Sequence, residues 1–433
     1  MKISISGIRG IYGQDLNIYE VNRFVSQFTG IIKSTKCVVA CDTRPSSMII
    51  AQVVTAGLMA AGIDVYNLGI APTPAAFREA RKYGAGVMVT ASHNPLEWNG
   101  LKFIIDGRGL FDSELQDMLK ITSDHRGKFG NEFQISSHYA DVVAEMTKSN
   151  TMVKVGIDAA GGAACGYAEN LFKKLGHKYY TINGVAGISS RGPDPTADEL
   201  ADLRALVTAN ELDHGFGLDL DADRLVVVNS KGEKLNPDAT LLLCVARAVE
   251  IGLKKFVTSI DTSIAVEKYI RSRNCRIVAY SKVGEANVVS KMLEVNAEAG
   301  GEGSSAGFIM PKINMCRDGL LAAATISTLD KKTIDECREF TSQFAQIRSK
   351  IVADSSLHNT LIEKLREMFK SESSSIMTED GVKAILDEDS WVLIRPSNTE
   401  HAIRVSVESR AEKVQGIYEK ASKKVQAVYD QVG

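Results

Sequence analysis

Short apolar runs and helix-spaced stretches alternate along most of this 433-residue chain. Cys37 to Ala40 reads as a strand that ends at Asp42-Thr43. A helical stretch follows from about Ser47 to Ala61, closed by Gly62, and a new strand covers Ile63 to Tyr66. The same order returns at Val153 to Ile157 with Asp158-Ala159, a helix from about Ala163 to Leu175 closed by Gly176, and a strand from His177 to Thr181. It returns again at Phe256 to Ile260 with Asp261-Thr262, a helix over roughly Ile264 to Arg273, and a strand from Cys275 to Tyr280. Strand, Asp, small or hydroxyl residue, helix, strand predicts a βαβ unit whose Asp caps the helix. Three copies spaced about a hundred residues apart predict three related α/β domains.

The last part has another rhythm. After the polar break at Ser371 to Ser375 come strand candidates at Val382 to Leu386, Trp391 to Arg395 and Ile403 to Glu408. A helix from Leu357 to Phe369 precedes them, and a long amphipathic one from Ala411 to about Tyr429 follows. Strands joined by short turns and flanked by helices indicate a small α+β domain. The expected segments are 1–145, 146–237, 238–347 and 348–433.

Composition narrows the class without naming a function. The apolar fraction of 44% and charged fraction of 24% are those of a soluble globular protein. A net charge of −2 gives no reason to expect nucleic acid or an anionic membrane surface as partner. No stretch approaches the ~20 apolar residues of a membrane span, and the N-terminus lacks the apolar core of a signal peptide. Seven scattered cysteines without a C-x-x-C pair fit a reducing, cytoplasmic setting and argue against a zinc site.

Two stretches carry candidate chemistry. Between the strand runs Val87 to Val89 and Leu101 to Phe103 lies Thr90-Ala91-Ser92-His93-Asn94-Pro95, too short and irregular for a helix. Pro95 fixes its own φ and keeps Asn94 out of the α region, so the loop is stiff and can hold the Ser92 hydroxyl at a sheet edge, with His93 beside it. The second stretch, Gly215 to Arg224, carries Asp219, Asp221 and Asp223 at alternate positions ahead of the strand Leu225 to Val228. Three such carboxylates repel unless a cation sits among them, and a curled loop can turn all three toward a hard ion such as Mg²⁺. An EF-hand is excluded, because its sixth and twelfth positions would be Arg224 and Ser230.

Weaker signals surround these. Arg9 stands between Gly7 and Gly10, where a guanidinium can fork onto a phosphate. Lys282 sits beside a glycine turn after a strand. Glu302, Ser304 and Ser305 follow Gly300-Gly301 and suit the hydroxyls of a sugar on a flexible backbone. Arg395, Ser397, Asn398 and Thr399, with Arg404 nearby, form a donor set that matches a phosphate monoester. Each of these four, taken alone, reads better as an ordinary loop or surface turn.

Taken in order, TASHNP at 90–95, NGLKF at 99–103, DLDADR, KVGE, GGE, RDG at 317–319 and RPSNTE at 395–400 closely resemble the α-D-phosphohexomutase family over nearly the whole chain. The resemblance implies three α/β domains with mixed sheets and a smaller C-terminal α+β domain around a central cleft. It also implies an isomerase, an intramolecular phosphotransferase that interconverts hexose 1-phosphate and hexose 6-phosphate. The family's phosphoserine maps to Ser92, its intermediate and activator is a hexose 1,6-bisphosphate, and its Mg²⁺ ligands map to the serine phosphate, Asp219, Asp221 and Asp223. Arg9, His93, Lys102 and Arg224 match positions near the reacting phosphate. Glu302 and Ser304 match the sugar-reading loop, with Lys282 as a further substrate contact. Arg395, Ser397, Asn398 and Thr399 match the loop on the non-reacting phosphate, with Arg404 beside it.

Two departures qualify that expectation. The family's sugar loop commonly runs Gly-Glu-x-Ser-Gly-His, whereas Ser304 here is followed by Ser305-Ala306-Gly307. Without that histidine, Lys102 becomes the candidate for proton transfer. Asn398 stands where many members have Gly, and His401 where many have Pro, which favours a glucose or mannose phosphate over glucosamine phosphate. A metal-dependent sugar-phosphate phosphatase and a non-catalytic sugar-phosphate sensor are the rivals. A small-molecule sugar phosphate is the expected partner, for a monomer or homodimer.

Overall fold

The computed structural model describes residues 1–122, 128–149, 151–397 and 401–432. The expected contacts of Asn398 and Thr399 lie outside the described residues. Within them, the three βαβ units share one strand order. The strand that opens each unit is central: Lys36–Cys41, Lys154–Asp158 and Lys255–Ser259. The strand after the helix lies parallel on one side, as Asp64–Ile70, Lys178–Ile182 and Arg276–Ser281. A third parallel strand lies on the other side, as Ala85–Val89, His214–Leu218 and Ala299–Glu302. A fourth runs antiparallel beyond it, as Trp98–Ile105, Leu225–Asn229 and Gly307–Ile309. The sheets are therefore mixed. The first is wider, with Gly7–Ile11 and Lys2–Ser4 antiparallel beyond the fourth strand and Glu132–Gln134 parallel beside Asp64–Ile70.

This shared order gives the candidate loops a common place. Ser92, the three aspartates and Ser304 all lie in the hairpin between the third and fourth strands of their own sheet. All three hairpins leave the carboxyl ends of the parallel strands, the end at which open α/β sheets bind ligands. Each hairpin carries one non-glycine residue in the left-handed region, Ser92 at φ 52°, Ala222 at 58° and Ala306 at 52°. That conformation is uncommon for a residue with a Cβ and persists only where packing enforces it.

The expected caps differ from the observed ones. Asp42, Asp158 and Asp261 do not cap the helices that follow, whose N-caps are Ser46, Gly166 and Ser263. Asp42 and Asp158 instead accept hydrogen bonds from N–H groups two residues on, at Arg44 and Ala160. The second helix also begins at Tyr167 rather than near Ala163. Residues before it brace the acidic loop: Ala163 N–H donates to Leu220 O at 2.8 Å, and a Cβ on Gly162 would stand 2.4 Å from that oxygen.

The last domain is a five-stranded antiparallel sheet in the order Phe344–Val352, Ala402–Arg410, Ser390–Pro396, Val382–Asp387, Ser375–Met377. The helices His358–Lys370 and Ala411–Val432 bury Leu361, Leu365, Val414 and Val425 against Val392, Ile394, Ile403, Val405 and Val407 on one face. The other face turns Trp391 and Leu393 onto Ile260, Ile264 and Ala265 of the third unit. The second and third units share a continuous core that includes Val155, Phe216, Phe256 and Leu320. Alternating strand positions thus seat the fourth domain on the third through a buried apolar contact.

Candidate active site

The serine hairpin is held from inside by a buried arginine. Arg44 Nη2 donates to Ser92 O at 2.5 Å and Asn94 O at 2.7 Å, and Nη1 to Pro95 O at 2.5 Å and Trp98 O at 2.9 Å. Its Nε pairs with Asp42 at 3.0 Å, and Asp42 also accepts from Thr90 Oγ1 at 2.7 Å and from Ser47 Oγ. Thr90 Oγ1 in turn accepts from Ser92 N–H at 2.8 Å. A guanidinium with its five donors in a fixed fork can template several carbonyls at once, which the stiffness of Pro95 alone would not do. Ser92 is fully buried and lies on the loop between two inner strands, not on an edge strand.

The serine hydroxyl meets the acidic loop. Ser92 Oγ donates to Asp219 Oδ2 at 2.8 Å, and His93 Nδ1 lies 3.4 Å from the same oxygen of Ser92. Ligand oxygens of Asp219, Asp221 and Asp223 all fall within 4.8 Å of one another, and all three residues are fully buried. Burial, then Asp221 and Asp223, push Asp219 well above the usual carboxylate range. Burial acts the same way on Asp223, but Arg317, Lys102 and Arg224 together hold it well below that range. Lys102 Nζ donates to Asp221 Oδ2 and Asp223 Oδ2, both at 2.7 Å. Burial opposes its charge, yet Asp221, Asp223 and Glu285 raise it above the ordinary lysine value. Asp221 Oδ1 and Asp223 Oδ1 are buried without a hydrogen-bond partner. Unpartnered buried carboxylate oxygens are costly, and a divalent cation among them satisfies both, so the donor set fits a hard metal ion.

Cations ring this cluster. Arg9 is delivered by the pairing of Gly7–Ile11 with Trp98–Ile105, opposite Gly100. A Cβ on Gly100 would stand 2.2 Å from Ile8 O and 3.0 Å from Arg9 Cγ, so the glycine of NGLKF admits that strand. Arg224 Nη2 lies 3.5 Å from His93 Nε2, and burial, Arg224 and Arg9 push the His93 imidazole down to about 2. His93 is therefore neutral. Thr73, at the start of the helix Thr73–Tyr83, donates its hydroxyl to Asp221 Oδ2 at 2.5 Å.

From the acids a line of contacts runs to the last domain. Arg317 donates to Asp223 Oδ2 at 2.9 Å, to Glu302 Oε2 at 3.1 Å and to Ser305 Oγ at 3.1 Å, and its N–H bonds Glu285 at 2.9 Å. Gly319 follows it closely, since a Cβ there would meet Arg224 O at 2.6 Å and Ala222 O at 2.9 Å. Glu302 Oε1 accepts from Gly284 N–H at 2.5 Å. Val283 N–H donates to Asp380 Oδ2 at 3.2 Å, and Asp380 Oδ2 lies 3.8 Å from Arg395 Nη1. Arg404 stands directly across the strands from Arg395, and its Nε lies 3.5 Å from Ser397 Oγ. Ser92, the aspartates, Glu302, the lysine–glycine turn at 282–284 and Arg395 thus belong to one contiguous arrangement.

Two expectations change. Glu302 is buried, and both its oxygens are engaged by the protein in this state. The glycines before it do not confer flexibility: a Cβ on Gly300 would stand 1.8 Å from Val257 O and one on Gly301 2.0 Å from Gly307 O, so they permit close strand approach. Ser304 is half-buried and Lys282 is exposed. Arg44, Thr73, Glu285 and Arg317 escaped the reading of the sequence as site residues. The run Asp42-Thr43-Arg44 after a strand and the RDG run were the available signals.

Models of the phosphoglucomutase/phosphomannomutase α/β/α domains I, II and III match residues 1–123, 137–232 and 236–346, and the model of the C-terminal domain matches 349–420. The chain belongs to this family of phosphohexomutases. It is 32% identical over 427 residues to a probable phosphoglucosamine mutase of Methanothermobacter thermautotrophicus, covering 94% of this chain and 93% of that one. It is 33% identical over 433 residues to a probable phosphoglucosamine mutase of Methanosarcina acetivorans, covering 96% and 97%. A solved phosphoglucomutase/phosphomannomutase family protein from Burkholderia thailandensis superposes with a TM-score of 0.86 at 24% identity, covering 100% and 99%, and shows the same fold. The phosphohexomutase is an isomerase that works as a phosphotransferase. Among its described residues no helix is long and apolar enough to cross a membrane.

Proposed function

We propose that this phosphohexomutase interconverts the 1- and 6-phosphates of a hexosamine, with Ser92 as phosphoryl carrier. The observation that carries the carrier role is the Ser92 hydroxyl 2.8 Å from Asp219, in a cluster of three buried acids. A serine ester oxygen in that position keeps its phosphoryl group beside the acidic cluster, where a divalent cation fits. The names of relatives at about 30% identity support the hexosamine, against the glucose or mannose that Asn398 favours.

In the forward step the Ser92 Oγ–P bond breaks as a P–O bond forms to the free hydroxyl of a hexosamine monophosphate, and the proton that hydroxyl gives up is balanced by one taken up at Ser92 Oγ. The bisphosphate turns round, and the other phosphoryl group returns to Ser92 Oγ. Such transfer asks mainly for in-line positioning and positive charge around the equatorial oxygens. Asp219, Asp221 and Asp223 would hold Mg²⁺, which when bound would supply Lewis-acid neutralisation of the transferring group. Arg9 and Arg224 add charge from the protein side. Lys102, held protonated by two aspartates, suits an acid and a charge neutraliser better than a base. His93 is neutral and within reach of Ser92 Oγ, as an orienting group. Lys282 and Ser304 are free to meet sugar hydroxyls, and Glu302 joins them if substrate displaces Gly284 N–H. Arg395, Ser397 and Arg404 hold the phosphate that is not reacting.

The test is turnover of glucosamine 1-phosphate, glucose 1-phosphate and mannose 1-phosphate, each with catalytic hexose 1,6-bisphosphate and Mg²⁺. The highest kcat/KM is expected on glucosamine 1-phosphate. A clear preference for glucose or mannose phosphate would overturn the substrate assignment, and release of stoichiometric inorganic phosphate would make the protein a phosphatase.

A further inference from the structure

The turn before the strand Val382–Asp387 brings a carboxylate against the phosphate wall. Asp380 Oδ2 accepts from Val283 N–H and faces Arg395 Nη1 at 3.8 Å, with each of the two side chains only 13% exposed. The approach is built into the backbone. Gly381 has φ +79°, and a Cβ there would stand 2.2 Å from Ile394 O and 2.8 Å from Arg395 Cα, so the turn can lie against Arg395 only with glycine. Burial pushes the Asp380 carboxyl above the usual carboxylate range and Asp261 adds to that, while Arg395, the Val283 N–H and Lys282 favour its charged form.

The surroundings of Arg395 are cationic. Lys350, Arg404 and Arg395 stand directly opposite one another on three neighbouring strands, so their side chains share one face of the sheet. Like charges in direct cross-strand register are destabilising unless a counter-charge joins them. On Arg395 that counter-charge comes from Asp380.

We propose that Asp380 is an internal counter-anion that competes with the substrate's non-reacting phosphate for Arg395. The competition keeps this grip weak enough to release a bisphosphate for its turn. A phosphohexomutase must hold one phosphate while the other reacts, then present the held one to the serine. A grip of maximal affinity would bind monophosphate well and stall the intermediate, which is the cost of binding a state too tightly. Asp380 touches neither reacting group and acts through Arg395, so it is a positioning residue. The inference rests on the reading of Arg395 as a phosphate ligand.

Asp380→Asn keeps an acceptor for Val283 N–H and nearly the same shape, and removes only the charge. With inorganic phosphate as probe in titration calorimetry, this variant is expected to bind about three- to tenfold tighter than the parent at low salt, the gap narrowing as salt is raised. In turnover both KM and kcat should fall, a split that a merely structural residue would not produce. Asp380→Ala, which also loses the hydrogen bond, should show the same direction. Unchanged or weaker phosphate binding in Asp380→Asn would overturn the proposal. Arg395→Ala separates the two layers: its phosphate affinity should drop, and if it does not, the grip itself is misassigned. A drop there with no tightening in Asp380→Asn would remove only the counter-anion.

Discussion

The two ends of this site are built in opposite ways. At the serine end Ser92, the three aspartates, Lys102 and Arg44 are buried and cross-braced. Arg44 holds four carbonyls of the hairpin, Ser92 sits in a strained left-handed conformation, and three acids share Lys102, Arg317 and Thr73. At the phosphate end Arg395 and Arg404 are half-buried, Lys282 is exposed, and Asp380 stands 3.8 Å from Arg395. The difference teaches where each task is placed. Transfer of a phosphoryl group tolerates little positional error and is set in a rigid, low-dielectric core, whereas gripping and releasing a phosphate is set on a wetter surface.

The largest effect that would break this comparison is at the serine. Ser92→Ala should reduce mutase activity on the order of 10³-fold or more while leaving the melting temperature close to that of the parent. Turnover near the parent's would remove the carrier. Next, Asp221→Asn should abolish the Mg²⁺-stimulated part of the rate, and the parent should lose the same part to a chelator. A parent indifferent to chelation would argue against metal in the acidic hairpin. Arg44→Met tests rigidity itself. It strands Asp42 and four carbonyls in the core, and should cost about 3–5 kcal/mol in denaturant unfolding. A loss under about 1 kcal/mol would show that the hairpin holds its shape without the arginine. The smallest effect belongs to the other end: Arg395→Ala should raise KM about ten- to a hundredfold with stability unchanged. A change confined to kcat would move Arg395 from the grip to the chemistry.

Local pattern carried much of this architecture. The three strand–helix–strand units are where apolar spacing put them, and TASHNP read as a stiff loop between strands and DLDADR as a curled loop ahead of one, both of which are hairpin connections in the fold. What pattern did not carry is anything that depends on sheet order. The equivalence of the serine, acidic and sugar hairpins follows from the third and fourth strands occupying the same places in three sheets, which spacing does not reveal. The partner of a buried polar residue is equally hidden. Asp42 looked like a helix cap from its position, yet its oxygens go to Arg44 and Ser47 nearby and to Thr90, a contact made only once the hairpin folds back. Glu302 looked free on a flexible glycine run, but close packing of Gly300 and Gly301 buries it beside Arg317, 15 residues further on.

The central claim is that Ser92 carries the phosphoryl group. Its most direct test is intact mass and peptide mapping of the purified protein after incubation with hexose 1,6-bisphosphate and Mg²⁺. The account predicts one phosphoryl group, located on Ser92, that is lost on addition of excess hexose monophosphate and is absent from Ser92→Ala. An unmodified Ser92 in protein that turns over, or a phosphoryl group on another residue, would contradict it.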